Sequence, residues 1–170
     1  MALIKVSNSG FSGLNIQHFR LGSDYDIVSA NTEENLTDWD ELNSSTQGFI
    51  GSSISETNGV FSFSQTGIYL IDCYFTAQRT SGDVRFASME IKSSVDGGSN
   101  YTTISSGLES ISSEDNSSIW YGGGLVRRIQ KISDTTNQRI KFMATSSSSA
   151  CVFKSSENRT NATFMRLGDI

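Results

Sequence analysis

A chain of 170 residues is one domain by size, long enough to bury a core without disulfides or metals. Its formal charge of −5 excludes nucleic acid as the main partner, because phosphate contacts need clustered Lys and Arg. Abundant Ser and Thr, 15 Gly, ten Phe and no Pro exclude a helical bundle and suit short strands joined by many turns.

The opening, MALIKVSNSG, lacks the apolar core and cleavage site of a signal peptide, so secretory export is not expected. No window approaches the length of a transmembrane helix, and no membrane partner is expected. Residues 1–20 read as an N-terminal arm leading into a first strand, and 21–170 as the main domain. Strands are expected at 2–6, 14–20, 25–29, 48–54, 59–64, 67–79, 84–93, 100–104, 118–132, 138–146, 149–154 and 161–167. Thr32–Leu42, TEENLTDWDEL, is the one stretch that suggests a helical turn, with Thr32 as a poor cap. Turn clusters such as SETNG, RTSGD, VDGGSN and SSENRTN separate the strands, with Asp96-Gly97 expected at positive φ. Together these predict an all-β antiparallel sandwich or barrel.

One strand breaks the pattern. In GVFSFSQTGIYLIDCYFTAQ, Val60–Ser64 alternates as a half-buried strand should, but Ile68–Phe75 is apolar at both parities. Tyr69, Ile71, Cys73 and Phe75 point one way, and Ile68, Leu70 and Tyr74 the other. A strand facing water on one side is polar at every second residue, so the second face must be covered.

Catalytic chemistry finds little support. His18 is the single histidine and the only base available to activate a serine. No metalloprotease, nucleophile-elbow or Walker signature is present, and GGGLVRR at 122–128 lacks the Lys and the helix that cradle phosphate. Its glycines read better as a bulge or a close backbone approach within a strand. Acidic loops at Asp24/Asp26, Asp38/Asp40/Glu41 and Glu114/Asp115 lack EF-hand spacing and read as solvated surface. Cys73 and Cys151 read as small buried core residues, with a mutual disulfide as the alternative. No cofactor is expected, and none of the six Asn-X-Ser/Thr sequons, at Asn35, Asn43, Asn100, Asn116, Asn158 and Asn161, is read as glycosylated.

From Trp39 onward, the order TDWDEL, GVFSFSQTGIYLI, FASMEIKSSVDGGSN, NQRIKFMA and ATFMRLG resembles the jelly-roll domain shared by tumour necrosis factor and the globular heads of complement. The Gly-X-Phe-X-Phe strand, the Thr-Gly-Ile-Tyr strand and the closing Thr-Phe-X-X-Leu-Gly carry the likeness. More narrowly, the chain is similar to small virion proteins of tailed phages of aquatic bacteria, in which an MALIKV-like opening precedes such a domain. Ser64-Gln65 departs from the proline that many relatives place before the turn. The resemblance implies a homotrimer packed through an apolar outer sheet face; the alternative is that loops or the first 35 residues of the same chain cover it. The implied contact residues are Ile68, Leu70 and Tyr74, joined by Trp120 and Phe164, with Phe61, Phe63 and Phe142 in the internal core.

Two functions follow as expectations. The first is a non-enzymatic capsid decoration (cement) protein, made in the host cytoplasm and located in the virion. It would be held to the major capsid protein, or another virion protein, by an arm carrying Leu3, Ile4, Val6 and Phe11. The second is a tail-fibre or spike tip that binds a host surface glycan or receptor through exposed aromatics such as Tyr25, Trp39, Tyr101 and Trp120.

Overall fold

The computed structural model describes residues 15–42, 50–51, 54–111 and 120–170. The expected strand at 2–6 and the arm residues Leu3, Ile4, Val6 and Phe11 lie outside them. Among the described residues, thirteen strands form two antiparallel sheets. One sheet runs β2 (Tyr25–Asp26), β12 (Cys151–Phe153), β7 (Gly67–Arg79), β13 (Asn161–Gly168), β1 (Asn15–Leu21), β4 (Trp39–Glu41), and β10 (Trp120–Ile132) pairs with β7. The other runs β5 (Ile54–Thr57), β6 (Val60–Phe63), β11 (Arg139–Ser146), β8 (Phe86–Ser94), β9 (Thr102–Ser110), and β3 (Glu34–Asn35) pairs with β11. The fold is an antiparallel jelly-roll sandwich.

β1 is hydrogen-bonded between β13 and β4, so residue 20 falls inside a sheet strand. The expected helical turn at Thr32–Leu42 is instead β3 and β4. Its acidic residues take up backbone donors. The Glu34 carboxylate accepts the N–H groups of Val28 and Ser29, and Trp39 is buried with its indole N–H donated to the Leu36 carbonyl at 2.8 Å. Burial of Trp39 and Leu36 outweighs any weak local helical preference. β9 runs longer than expected because TTISSGLES is largely polar on both faces, and gives little alternation to read. In the 95–101 turn, positive φ falls on Gly97 and Gly98 rather than on Asp96. The Asp96 carboxylate instead accepts the Asn100 N–H and the Ser94 hydroxyl, and these hydrogen bonds hold its pKa down at about 2.

The space between the sheets is filled largely by aromatic rings. Phe61 stands at its centre, with ring centroids 5.1 Å from Phe19, 5.3 Å from Phe142, 4.9 Å from Phe164 and 5.8 Å from Trp39. Phe63, Tyr69, Ile71, Cys73 and Phe75 close around it, all buried. Phe164 therefore belongs to this core and not to an outer contact face. It pairs with Ile71 across the β13–β7 ladder, on the inward parity.

Cys73 and Cys151 are free thiols, both buried. Burial pushes both thiols up, with the Asp72 carboxylate adding to the effect at Cys73. Both are therefore expected to resist a thiol reagent in the folded protein and to react promptly in denaturant; fast labelling of the native state would contradict the burial. Phe61→Ala removes a ring held by four others and is expected to cost about 3–5 kcal/mol. Val28→Ala, at an exposed position, should stay within about 0.5 kcal/mol of the parent. Urea denaturation of the two variants checks both values.

Candidate functional site

β7 is central to one sheet and touches other strands along both edges. β10 runs along one edge without interruption, from Trp120↔Arg79 to Ile132↔Gly67. Along the other edge lie β12 and β13, end to end. Paired residues share a face, so the ladders sort every side chain. Tyr69, Ile71, Cys73 and Phe75 go inward with Val126, Phe164 and Phe153. Ile68, Leu70, Asp72, Tyr74 and Thr76 go outward, with Tyr121, Leu125, Arg127, Ile129 and Lys131 of β10 and with Asn161, Thr163 and Met165 of β13. From β1, Ile16, His18 and Arg20 join them.

This outward face is an apolar strip interrupted by ion pairs. Leu125 and Ile129 are 50% and 61% exposed, and Tyr74 and Tyr121 are 43% and 51% exposed. Ile68 and Leu70 are half-buried beside them. Arg127 clasps Asp72 through two hydrogen bonds of 2.6 and 2.8 Å, and Arg20 reaches Asp40 at 3.4 Å. The structure thus brings Ile68, Leu70 and Tyr74 together on one surface. It does not place Trp120 there: Trp120 pairs with buried Arg79, on the parity of Val126 and Ile132. Leu125, Ile129 and Met165 occupy the face instead. Their alternation with Val126, Gln130 and Phe164 was the available signal, obscured in β10 because Arg and Lys occur at both parities.

The three glycines of β10 permit close approach and do not form a bulge, since the β7 ladder passes them in register. A Cβ on Gly124 would meet the Phe75 ring at 2.9 Å, and one on Gly123 would meet the Tyr74 hydroxyl at 2.9 Å. Gly123 thus leaves a flat floor over which the Tyr74 phenol lies.

Beside that floor, the run β12–β13 breaks. Phe153 pairs with Ala77 and Asn161 with Tyr74, so residues 154–160 form an excursion opposite Phe75 and Thr76. Thr76 clamps both ends. Its carbonyl accepts the Lys154 N–H at 2.9 Å, and its own N–H donates to the buried Thr160 hydroxyl at 3.3 Å. Within the excursion, Glu157 and Asn158 both adopt positive φ, 56° and 58°. Arg159 lies over the Tyr121 ring, 5.4 Å from its centroid, and pairs with Glu157 at 3.2 Å. Tyr74, Thr76, Tyr121, Glu157, Asn158, Arg159 and Asn161 line a shallow depression of about 520 Å³.

Other expected site residues lie apart from it. Trp39 is core. Tyr101 is half-buried, with the Lys141 ammonium 4.2 Å above its ring, and Tyr25 hydrogen-bonds Glu34 at 3.2 Å. These three form no common aromatic platform. His18 is bound through Nδ1 to the Thr163 hydroxyl at 2.7 Å, which orients the ring. Among the described residues, no group of three or more His, Cys, Asp or Glu is placed to hold a metal ion.

The strand order and the layer arrangement define a jelly roll of the tumour-necrosis-factor type. Among solved structures, the chain is similar to murine APRIL, of the tumour-necrosis-factor family, in crystals at pH 5.0 and pH 8.0. The identity is 13% and 12%, the TM-score 0.57 in both cases, and the overlap 91% of this chain and 99% of APRIL. A further murine APRIL structure, at pH 8.5, gives 12% identity and a TM-score of 0.55. The likeness establishes the fold. No family model matches the chain, and no curated protein matches it in sequence.

Burial lowers the His18 pKa below 6.5, so the unfolded chain binds the proton more tightly. Stability should be complete above pH 6.5 and decline as the pH falls through the folded value. Arg20 on the same strand and Thr163 on β13 share this face with the ring. His18→Gln should flatten the decline in urea midpoint between pH 7 and about pH 5; a variant as acid-sensitive as the parent would refute this assignment.

Proposed function

We propose that the protein is a non-enzymatic virion structural protein that works as a homotrimer, most simply a capsid decoration protein held to the major capsid protein. The observation that carries the reading is the outward face of β10, β7, β13 and β1. It presents Leu125, Ile129, Leu70, Ile68, Tyr74, Met165 and Ile16 on one surface of a strand system whose other surface already fills the core.

Fully burying a Leu or Ile side chain is worth about 1.5–3 kcal/mol, so two or three such residues per subunit offset the entropy of association. Exposed apolar strips of this kind mark contact surfaces. A second copy is the occupant favoured here, because the jelly rolls that the sequence resembles pack as trimers through the outer face of one sheet. A closed ring of identical contacts also leaves no apolar face unused. The Asp72–Arg127 and Arg20–Asp40 pairs within the strip would fix the register of the contact more than its strength. The virion assignment follows from the likeness to phage virion proteins.

Native mass spectrometry at micromolar concentration should give three times the 18.5 kDa chain. Ile129→Asp, at an exposed position that leaves the core intact, should give a monomer with an unchanged circular dichroism spectrum. A monomeric parent would remove the trimer. Failure of the purified trimer to co-sediment with capsids of the encoding virus would remove the decoration role alone.

A further inference from the structure

We propose that the depression between Tyr74, Tyr121 and the 154–160 excursion is a saccharide-binding site. It goes beyond the decoration reading, which needs no small ligand, and it requires that Tyr74 and Tyr121, which line the depression, stay accessible at the margin of the proposed subunit contact.

Three observations carry it. The first is the platform. Tyr74 and Tyr121 are both large and about half exposed, on neighbouring strands of one face, and Gly123 lies between their levels on β10 with no side chain to separate them. A flat aromatic face with a polar tip suits the C–H face of a pyranose; Tyr74 offers one, while Tyr121 carries the Arg159 guanidinium over its ring and so positions the rim. The second is the rim. Glu157, Arg159, Asn158 and Asn161 supply a carboxylate, a guanidinium and two amides. All are planar groups that can meet two adjacent hydroxyls at once. The third is the construction of the loop. The excursion is clamped by Thr76 at both ends, Asn161 Nδ2 holds the Asn158 carbonyl at 2.7 Å, and Arg159 N–H holds the Ser156 carbonyl at 3.1 Å. This framework keeps Glu157, a residue with a Cβ, in the left-handed region at φ 56°, ψ 29°. Such strain persists only where the surroundings over-determine it, and it concentrates at ligand sites.

The same features select the ligand class. Glu157 and Arg159 are paired, so the rim carries no net charge to attract an ion. Both edges of β7 are occupied by β10 and by β12 and β13, so an extended peptide cannot add as a strand there. A neutral sugar, stacked on a tyrosine and hydrogen-bonded at its rim, fits what is left.

The test is saturation-transfer NMR on the full-length protein with the methyl glycosides of glucose, galactose, mannose and N-acetylglucosamine at millimolar concentration. Transfer to the ring C–H protons of at least one glycoside is expected. Tyr121→Ala should weaken that binding about tenfold, while Leu108→Ala, an exposed apolar position on β9, should leave it unchanged. Glu157→Gln, at a well-exposed side chain, should also weaken binding without affecting folding. No transfer from any of the four glycosides overturns the proposal, as does binding that Tyr121→Ala and Glu157→Gln leave intact. If the chain is trimeric and Tyr121 is protected from hydroxyl-radical labelling, the depression is a subunit contact and the proposal also fails. Because the mass measurement is separate, a trimer without sugar binding leaves the oligomer reading standing.

Discussion

The double-sided apolarity of β7 is the constraint on which the rest of the molecule depends. A strand carrying Tyr69, Ile71, Cys73 and Phe75 on one side must cap an aromatic core, and this one does. Carrying Ile68, Leu70 and Tyr74 on the other, it cannot simply face water. The described residues meet only part of that demand. β10 and β13 flank β7 and half-bury Ile68 and Leu70, but they add apolar side chains of their own to the same surface. Among the described residues, pairing widens the strip and does not cover it.

The aromatic cluster around Phe61 explains how a chain with only 36% hydrophobic residues sustains two sheets. Many of the buried residues are large aromatics and aliphatics, and edge-to-face ring contacts add to the area term. The remaining residues can then be Ser, Thr and Asn, which satisfy turns and loops locally. The Asp96 and Asp134 turns, in which each carboxylate accepts neighbouring backbone N–H groups, show this division of labour. The proposed saccharide site sits where the two regimes meet. The depression lies at the end of the apolar strip, where the β12–β13 run is broken by a polar excursion.

The division of the surface also bears on function. The proposed subunit contact and the proposed saccharide site make different demands. The first tolerates few charges, and its ion pairs, Asp72–Arg127 and Arg20–Asp40, are mutually compensated. The second needs polar groups held in fixed directions, and the Thr76 clamp supplies that. Tyr74 belongs to both, which makes it the residue where assembly and ligand binding would interfere.

Much of this architecture was legible in the sequence. Alternation at Val60–Phe63 and the parity of Tyr69–Phe75 placed the inward core correctly, because a strand's period of two is a local property that survives any partner. The all-β class followed from turn residues and the absence of helical periodicity. What depended on pairing was not legible. Whether Phe164 faces in and Trp120 falls on the other face of the sheet from Tyr74 depends on which residue each pairs with across a ladder, and a shift of one residue reverses the answer. The strands at Glu34–Asn35 and Trp39–Glu41 owe their form to distant partners, β11 and β1. The depression at Tyr74 and Tyr121 unites residues far apart in the chain, through a break in strand pairing that no local pattern announces. Composition and periodicity alone determined the fold class and the core strands; only the tertiary register decided which apolar residues share the outer face, because facing is set by hydrogen-bonded partners and not by neighbours in sequence.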